Sequence, residues 1–195
     1  MAFAALSPTT DEVLPAGMEM HDLHPHQDAR GNFTEIFRQS WTNGIAPVQW
    51  NAISSSVNVL RGLHVHVRHT DYLTVLTGGM RLCLRDLRPE SPTHGLRRML
   101  DIGVDQPVGI VIPPGVAHGF YFMQSTLILV AVSHYWSHAD ELACRWDDPE
   151  TGLVWGALDP VVSTRDAQAG SFLQFEMDYL QRRQSCQIYE LAVAP

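Results

Sequence analysis

His64, His66 and Asp71 fall within eight positions of the stretch "LRGLHVHVRHTDYLTVLTGG", residues 60 to 79, directly ahead of an apolar run that reads as a buried strand. Imidazole nitrogens and a carboxylate at this density can hold a divalent metal or move a proton. Alternate side chains of a strand face the same way, so His64 and His66 are predicted to project from one face. Four residues separate His66 from Asp71, and six more lead to Gly78, an HxH-x4-D-x6-G spacing. Farther on, "PPGVAH" forms a PxGxxH that ends at His118. Three imidazoles and a carboxylate suit Zn²⁺, Fe²⁺, Ni²⁺ or Mn²⁺, and the residue types alone do not choose among them. His69 and the N-terminal "HDLHPH" group are given no ligand role.

These side chains need a scaffold. The chain has 195 residues, 45% of them apolar, which is enough for one good-sized core, and a single domain is expected over 1–195. Thirteen cations against twenty-one acids give a formal charge of −8, which argues against a nucleic-acid surface or a polybasic membrane contact. All thirteen cations are arginine, so lysine Schiff-base chemistry is excluded for this chain. Cys83, Cys144 and Cys186 are widely spaced and fit neither a disulfide framework nor a paired zinc motif. No export signal or membrane-length apolar run is recognised, so a soluble cytoplasmic protein is expected.

From about residue 47 to 136, short apolar runs such as "RLCLRDL" and "LILVAV" recur between Gly, Pro, Asn or Ser clusters. Alternation, strand-forming residues and regular punctuation predict an all-β sandwich or barrel. Helices are expected only as short pieces, one near residues 34–41 and one in "STRDAQAG", where Ser163 is placed to cap a turn containing Asp166. Residues 1–20 are read as an N-terminal arm and 186–195 as a C-terminal tail.

The two histidine motifs resemble those of the cupins, small double-stranded β-helix (jelly-roll) barrels in which two His and an acid from the first motif and one His from the second surround a metal. The resemblance implies a ligand set of His64, His66, Asp71 and His118, with Asp71 one methylene shorter than the usual Glu. A more specific likeness runs from "DARGNFTEIF" to "VVSTRDA", about seven-tenths of the chain. With "VQWN", "RGLH", "SPTHG", "IPPGVAHGF" and "RWDDP" between those ends, this stretch resembles the dTDP-4-dehydrorhamnose 3,5-epimerases, which share the cupin fold. That likeness implies a homodimer acting on a nucleotide sugar without organic cofactor. His64 would be the proton-abstracting base with Asp166 as its carboxylate partner. Arg30, Glu35, Gln49, Asn51 and Arg61 would line the pocket for the nucleoside diphosphate, where arginine forks pair with phosphate oxygens.

The pattern departs from that family where its chemistry is concentrated. The family's oxyanion-stabilising lysine corresponds to Asp71, its proton-returning tyrosine to Val130, and the glutamine after the base to His66. These changes create the metal-cupin spacing, so a divalent ion could replace the lysine. His64 cannot then be ligand and free base in one state, which turns attention to metal-bound hydroxide, Tyr72, Tyr121 or His134. Three functions stay open: a nucleotide-sugar epimerase working beside a 4-ketone, limited to one carbon and metal-assisted; a metal-dependent cupin lyase, cyclase, dehydratase or dioxygenase; or a non-catalytic ligand-binding cupin. Arg61, Gln49 and Asn51 favour the first, Asp71 and His66 the second, and the missing Tyr and Lys the third.

Overall fold

The punctuated apolar runs fold as strands. The computed structural model describes residues 13–41, 46–137 and 140–193, with side chains described to residue 186. Within them the strands run β1 (Glu19–Asp22), β2 (His26–Asp28), β3 (Gly31–Phe33), β4 (Gln49–Ser55), β5 (Val59–His66) and β6 (Asp71–Thr77). They continue with β7 (Gly79–Asp86), β8 (Arg97–Gly103), β9 (Val108–Ile112), β10 (Val116–Phe122), β11 (Thr126–Val132) and β12 (Glu141–Ala143). Helices α1 (Thr164–Ala167) and α2 (Phe172–Val193) follow.

Two five-stranded antiparallel sheets, in the orders β1-β9-β6-β11-β4 and β12-β5-β10-β7-β8, face each other as a jelly roll, and β2 pairs with β3 in a separate hairpin. Strand alternation sorts the side chains. Leu73, Val75, Met80, Leu82, Phe122, Ile128 and their neighbours point inward and fill the space between the sheets. On the second sheet the opposite row, Leu60, Leu63, Val65, Cys83 and Ala117, packs under Trp155, Phe172, Phe175 and Tyr179.

A strict period of two would put Arg61 and His64 on opposite faces of β5. The register of β10 against β5 shifts between His118 and Phe120, pairing His118 with His64 but Phe120 with Arg61. This bulge restores Arg61 to the inner face. Two glycines make room for it. Gly62 has φ +135°, and a Cβ there would lie 2.7 Å from Gly119 Cα; a Cβ on Gly119 would lie 2.7 Å from the Arg61 carbonyl oxygen. The "RGLH" and "HGF" motifs meet at this crossing.

The all-β reading therefore holds, with three differences. The C-terminal tail expected at 186–195 is helical through residue 193, as the end of the 22-residue α2. Phe172, Phe175 and Tyr179 sit on one stripe of that helix at i, i+3 and i+7, and their burial against the second sheet supplies the stability that the polar remainder lacks. The helix expected near 34–41 is only a 3₁₀ turn, Gln39–Trp41. The N-terminal arm ends earlier than residue 20, because β1 pairs with this chain's own β9 from Glu19 onward. Residues 1–12 lie outside the described residues. Among the described residues, no helix is long and apolar enough to cross a membrane.

Candidate active site

At one end of the inter-sheet space the inward rows turn from apolar to polar and enclose a cavity of about 640 Å³. Gln49 and Asn51 of β4, Arg61, His64 and His66 of β5, Asp71 of β6, His118 of β10 and Asp166 of α1 all line it, with Phe120, Val130 and Val132 as its apolar wall. Eight of the ten residues proposed from sequence thus share one cavity. Arg30 and Glu35 do not. Arg30 caps the exposed β2–β3 hairpin and pairs with Asp28, and Glu35 pairs with Arg38.

His64 is held from both sides. Its Nε2–H donates to Asp166 Oδ1 at 2.7 Å, and its Nδ1 lies 3.2 Å from Glu141 Oε1. Asp166 stands in the first turn of α1, where its backbone N–H donates to the Ser163 cap at 3.1 Å. Burial alone would raise the Asp166 carboxyl. The bonds from His64, Ser163 and the Gly62 N–H outweigh burial and hold it below the usual carboxylate range. Glu141 behaves alike: burial opposes ionisation, but His64, the Trp136 indole N–H and Arg165 keep the carboxyl low. The Arg165 guanidinium donates to Glu141 Oε1 at 2.6 Å. Both carboxylates are therefore anionic at neutral pH, and neither can serve as a proton donor there.

Of the ligand set His64, His66, Asp71 and His118 expected from the motifs, His64 has both its nitrogens facing carboxylates. The other three do meet. Asp71 Oδ2 lies 3.7 Å from His66 Nε2 and 3.4 Å from His118 Nε2. His69, given no role from sequence, takes the remaining position, with Nε2 3.4 Å from Asp71 Oδ1 and Nδ1–H donating to Asp140 Oδ2 at 3.1 Å. The Asp71 contact is electrostatic rather than hydrogen-bonded, since His69 Nε2 lacks a bonded partner. Burial pushes His66, which also faces His118 and His69, well below the ordinary imidazole value, and it lowers His118 against the pull of Asp71. Burial disfavours the charged form of His69 too, yet Asp140 and Asp71 raise it to about 9.

Arg61 donates its Nε–H to Ser55 Oγ at 3.0 Å, and among the described residues no carboxylate pairs with its terminal nitrogens. Gln49 Nε2 donates to Asn51 Oδ1 at 2.8 Å, fixing both amides at the cavity wall. The other bases considered from sequence face elsewhere. The Tyr72 hydroxyl donates to the Ile36 carbonyl and is pushed by burial to about 12, Tyr121 donates to Asn58, and His134 borders a separate surface pocket. Sequence reasoning missed Glu141 and His69. Nothing local marks Glu141, which reaches His64 only because β12 pairs antiparallel with β5; the spacing of His69 to Asp71 was visible, but its burial was not.

A jelly roll whose cavity holds a histidine between carboxylates beside a free guanidinium is built for proton transfer on a small anionic ligand. Comparison with known proteins narrows that class. Residues 15–174 match the family model described as dTDP-4-dehydrorhamnose 3,5-epimerase. The spore coat polysaccharide biosynthesis protein SpsL of Bacillus subtilis is 30% identical over 71% of this chain and 95% of its own length. The dTDP-4-dehydrorhamnose 3,5-epimerase of Mycobacterium tuberculosis is 31% identical over 75% of this chain and 79% of its own. Among solved structures, the M. tuberculosis epimerase superposes with a TM-score of 0.79 at 26% identity, covering 89% of this chain and 95% of that one. The Legionella pneumophila enzyme in complex with dTDP-4-keto-L-rhamnose gives 0.76 at 25% identity, covering 84% and 92%. The chain belongs to the dTDP-4-dehydrorhamnose 3,5-epimerase family, and with it to the isomerases.

Proposed function

We propose that the protein epimerises a dTDP-linked 4-keto-6-deoxy sugar at a single carbon next to the ketone. The observation that carries this reading is His64, flanked by two ionised carboxylates on the wall of a cavity that also presents Arg61. His64 keeps a proton on Nε2 for Asp166, so Nδ1 is the nitrogen free to take the sugar's C–H proton. Once Nδ1 carries that proton, Glu141 Oε1, 3.2 Å away, accepts it as a hydrogen bond, and the imidazolium is matched by a carboxylate on each side. Arg61 grips the diphosphate, and the Gln49 and Asn51 amides read the pyrimidine edge. A divalent ion bound among the remaining histidines would polarise the ketone oxygen.

Restriction to one carbon follows from the cavity lining. Val130 stands where the family likeness expects a tyrosine, and among the described residues no tyrosine lines the cavity. A proton can therefore be exchanged on the His64 face, while the opposite face lacks a phenol. Incubation of the sugar nucleotide in D₂O, followed by NMR, tests this: deuterium is expected at C3 or at C5, and His64→Asn abolishes it. Deuterium at both carbons would refute the restriction, and deuterium at neither would refute the epimerase. A second reading, a metal-dependent lyase, cyclase, dehydratase or dioxygenase, draws on the buried histidines around Asp71; loss of a fragment from the substrate, or O₂ uptake, would favour it.

We further propose a homodimer. Arg30 and Glu35 lie on exposed structure outside their own cavity, next to an exposed Phe33, and a second copy is the simplest route by which they could reach a ligand. Light scattering is expected to give twice the chain mass, and Arg30→Ala to weaken nucleotide binding. A monomer at micromolar concentration would overturn this.

A further inference from the structure

Beside His64, the cavity wall holds a second group of ionisable side chains. Asp71 is 4% exposed, His69 1%, His118 5% and His66 8%. Three imidazole nitrogens stand 3.4 to 3.7 Å from the Asp71 carboxylate, too long or too oblique to be hydrogen bonds. His66 Nδ1 and His69 Nε2 are buried without a partner. A buried polar atom without a partner is unfavourable in a folded interior, and His69 Nε2, the one of these that faces Asp71, calls for something that satisfies it.

The donor spacing has the dimensions of a coordination shell. Ligands about 2.1 Å from a tetrahedral ion stand about 3.4 Å from one another. The contacts to Asp71 measure 3.4, 3.4 and 3.7 Å, and the donor atoms of His66, His69 and Asp71 all lie within 4.8 Å of each other. Two of the rings are also fixed from behind. His69 Nδ1–H donates to Asp140 and His118 Nδ1–H to the Val116 carbonyl, which aims each Nε2 at Asp71.

We propose that His66, His69, Asp71 and His118 bind one divalent transition-metal ion, with His64 outside the ligand set. Three imidazoles and one carboxylate suit Zn²⁺, Fe²⁺, Mn²⁺, Ni²⁺ or Co²⁺. With its Nε2 on Asp166, His64 stays outside this group, so ligation and proton abstraction fall to different residues. The ion also restores a positive charge where Asp71 has replaced a lysine. Asp140 is a positioning residue that orients His69. The site rests on this geometry alone and not on the nucleotide-sugar reading.

The test uses the untagged, full-length chain. Elemental analysis is expected to find about one divalent ion per chain. After stripping with a chelator, Co²⁺ should restore it with a one-to-one titration and a visible d–d spectrum. Asp71→Asn and His69→Asn are expected to weaken Co²⁺ by on the order of 100-fold and Asp140→Asn by about 10-fold, while His64→Asn leaves the titration unchanged. The native titration needs no variant to fold, and circular dichroism checks those that are used. No Co²⁺ binding by the native chain at micromolar concentration would overturn the site. So would a His64→Asn loss as large as that of His69→Asn. Because no sugar nucleotide is present in the titration, an inactive epimerase would leave the metal result standing.

Discussion

Replacing Arg61 with alanine removes the one cavity guanidinium, among the described residues, whose terminal nitrogens carry no carboxylate. Its Nε is occupied by Ser55 Oγ at 3.0 Å, which aims the fork and leaves the NH1 and NH2 groups for a diphosphate. Charge-assisted hydrogen bonds contribute about 1.5–3 kcal/mol each, and the side chain is solvent-exposed at the cavity mouth, so water competes with the phosphate and the pair together is worth about 2–3 kcal/mol. That corresponds to a roughly 30- to 150-fold loss of affinity. Calorimetric titration with dTDP measures it on the native protein and on Arg61→Ala. Arg61→Lys should recover only part of the loss, since an ammonium keeps the charge but not the bidentate fork. The gap should narrow as salt rises. Equal dTDP affinity in native and Arg61→Ala proteins would refute the assignment of the diphosphate to this side of the cavity.

Asp166→Asn should lower turnover by roughly two to four orders of magnitude with little change in KM, because the amide no longer holds the imidazolium in its working orientation; steady-state kinetics measure the split. Asp86 is fully buried, and although burial opposes ionisation, hydrogen bonds from Arg88, Ser91 and Thr93 lower its carboxyl to about 2. Its folded value lies below the unfolded one, so it adds stability above about pH 4 that is lost as pH falls toward about 2, on the order of 2 kcal/mol in all. Urea unfolding should therefore separate native protein from Asp86→Asn by about that amount near pH 7, and by much less near pH 2. Phe175→Ala should cost about 3–5 kcal/mol in the same assay if α2 is an integral layer of the fold, and far less if the helix is only loosely attached.

The strands could be read from the sequence because each carries a local period. "RLCLRDL" alternates, and all but its last residue lies within β7; "LILVAV" is uniformly apolar, and it lies within β11, paired on both sides. Ser163 was legible as a cap for the same reason, since a cap acts over three residues. The long helix was not. Its single aromatic stripe, Phe172, Phe175 and Tyr179, is flanked by polar residues, and only the waiting apolar face of the second sheet makes it a layer. The cavity divides along the same line. His64 and His66 share a strand face by periodicity, but Arg61 joins them through a bulge that no period of two contains. The Glu141 contact arises from strand pairing between segments far apart in sequence. His69 looked like a loop residue until folding buried it between Asp71 and Asp140.

The partners of His64 come from chain that lies late in the fold. Asp166 stands on α1, and Glu141 on an edge strand of only three residues. Backbone bonds between Leu60 and Val161, and between Leu63 and Cys144, lace this late segment to the barrel. The division of labour has an evolutionary reading. The barrel positions the imidazole and the ligand-gripping arginine, while a short peripheral stretch sets how strongly the base is backed. Substitutions there can retune reactivity without shifting a single strand register, so related proteins could diverge in chemistry while keeping the same core.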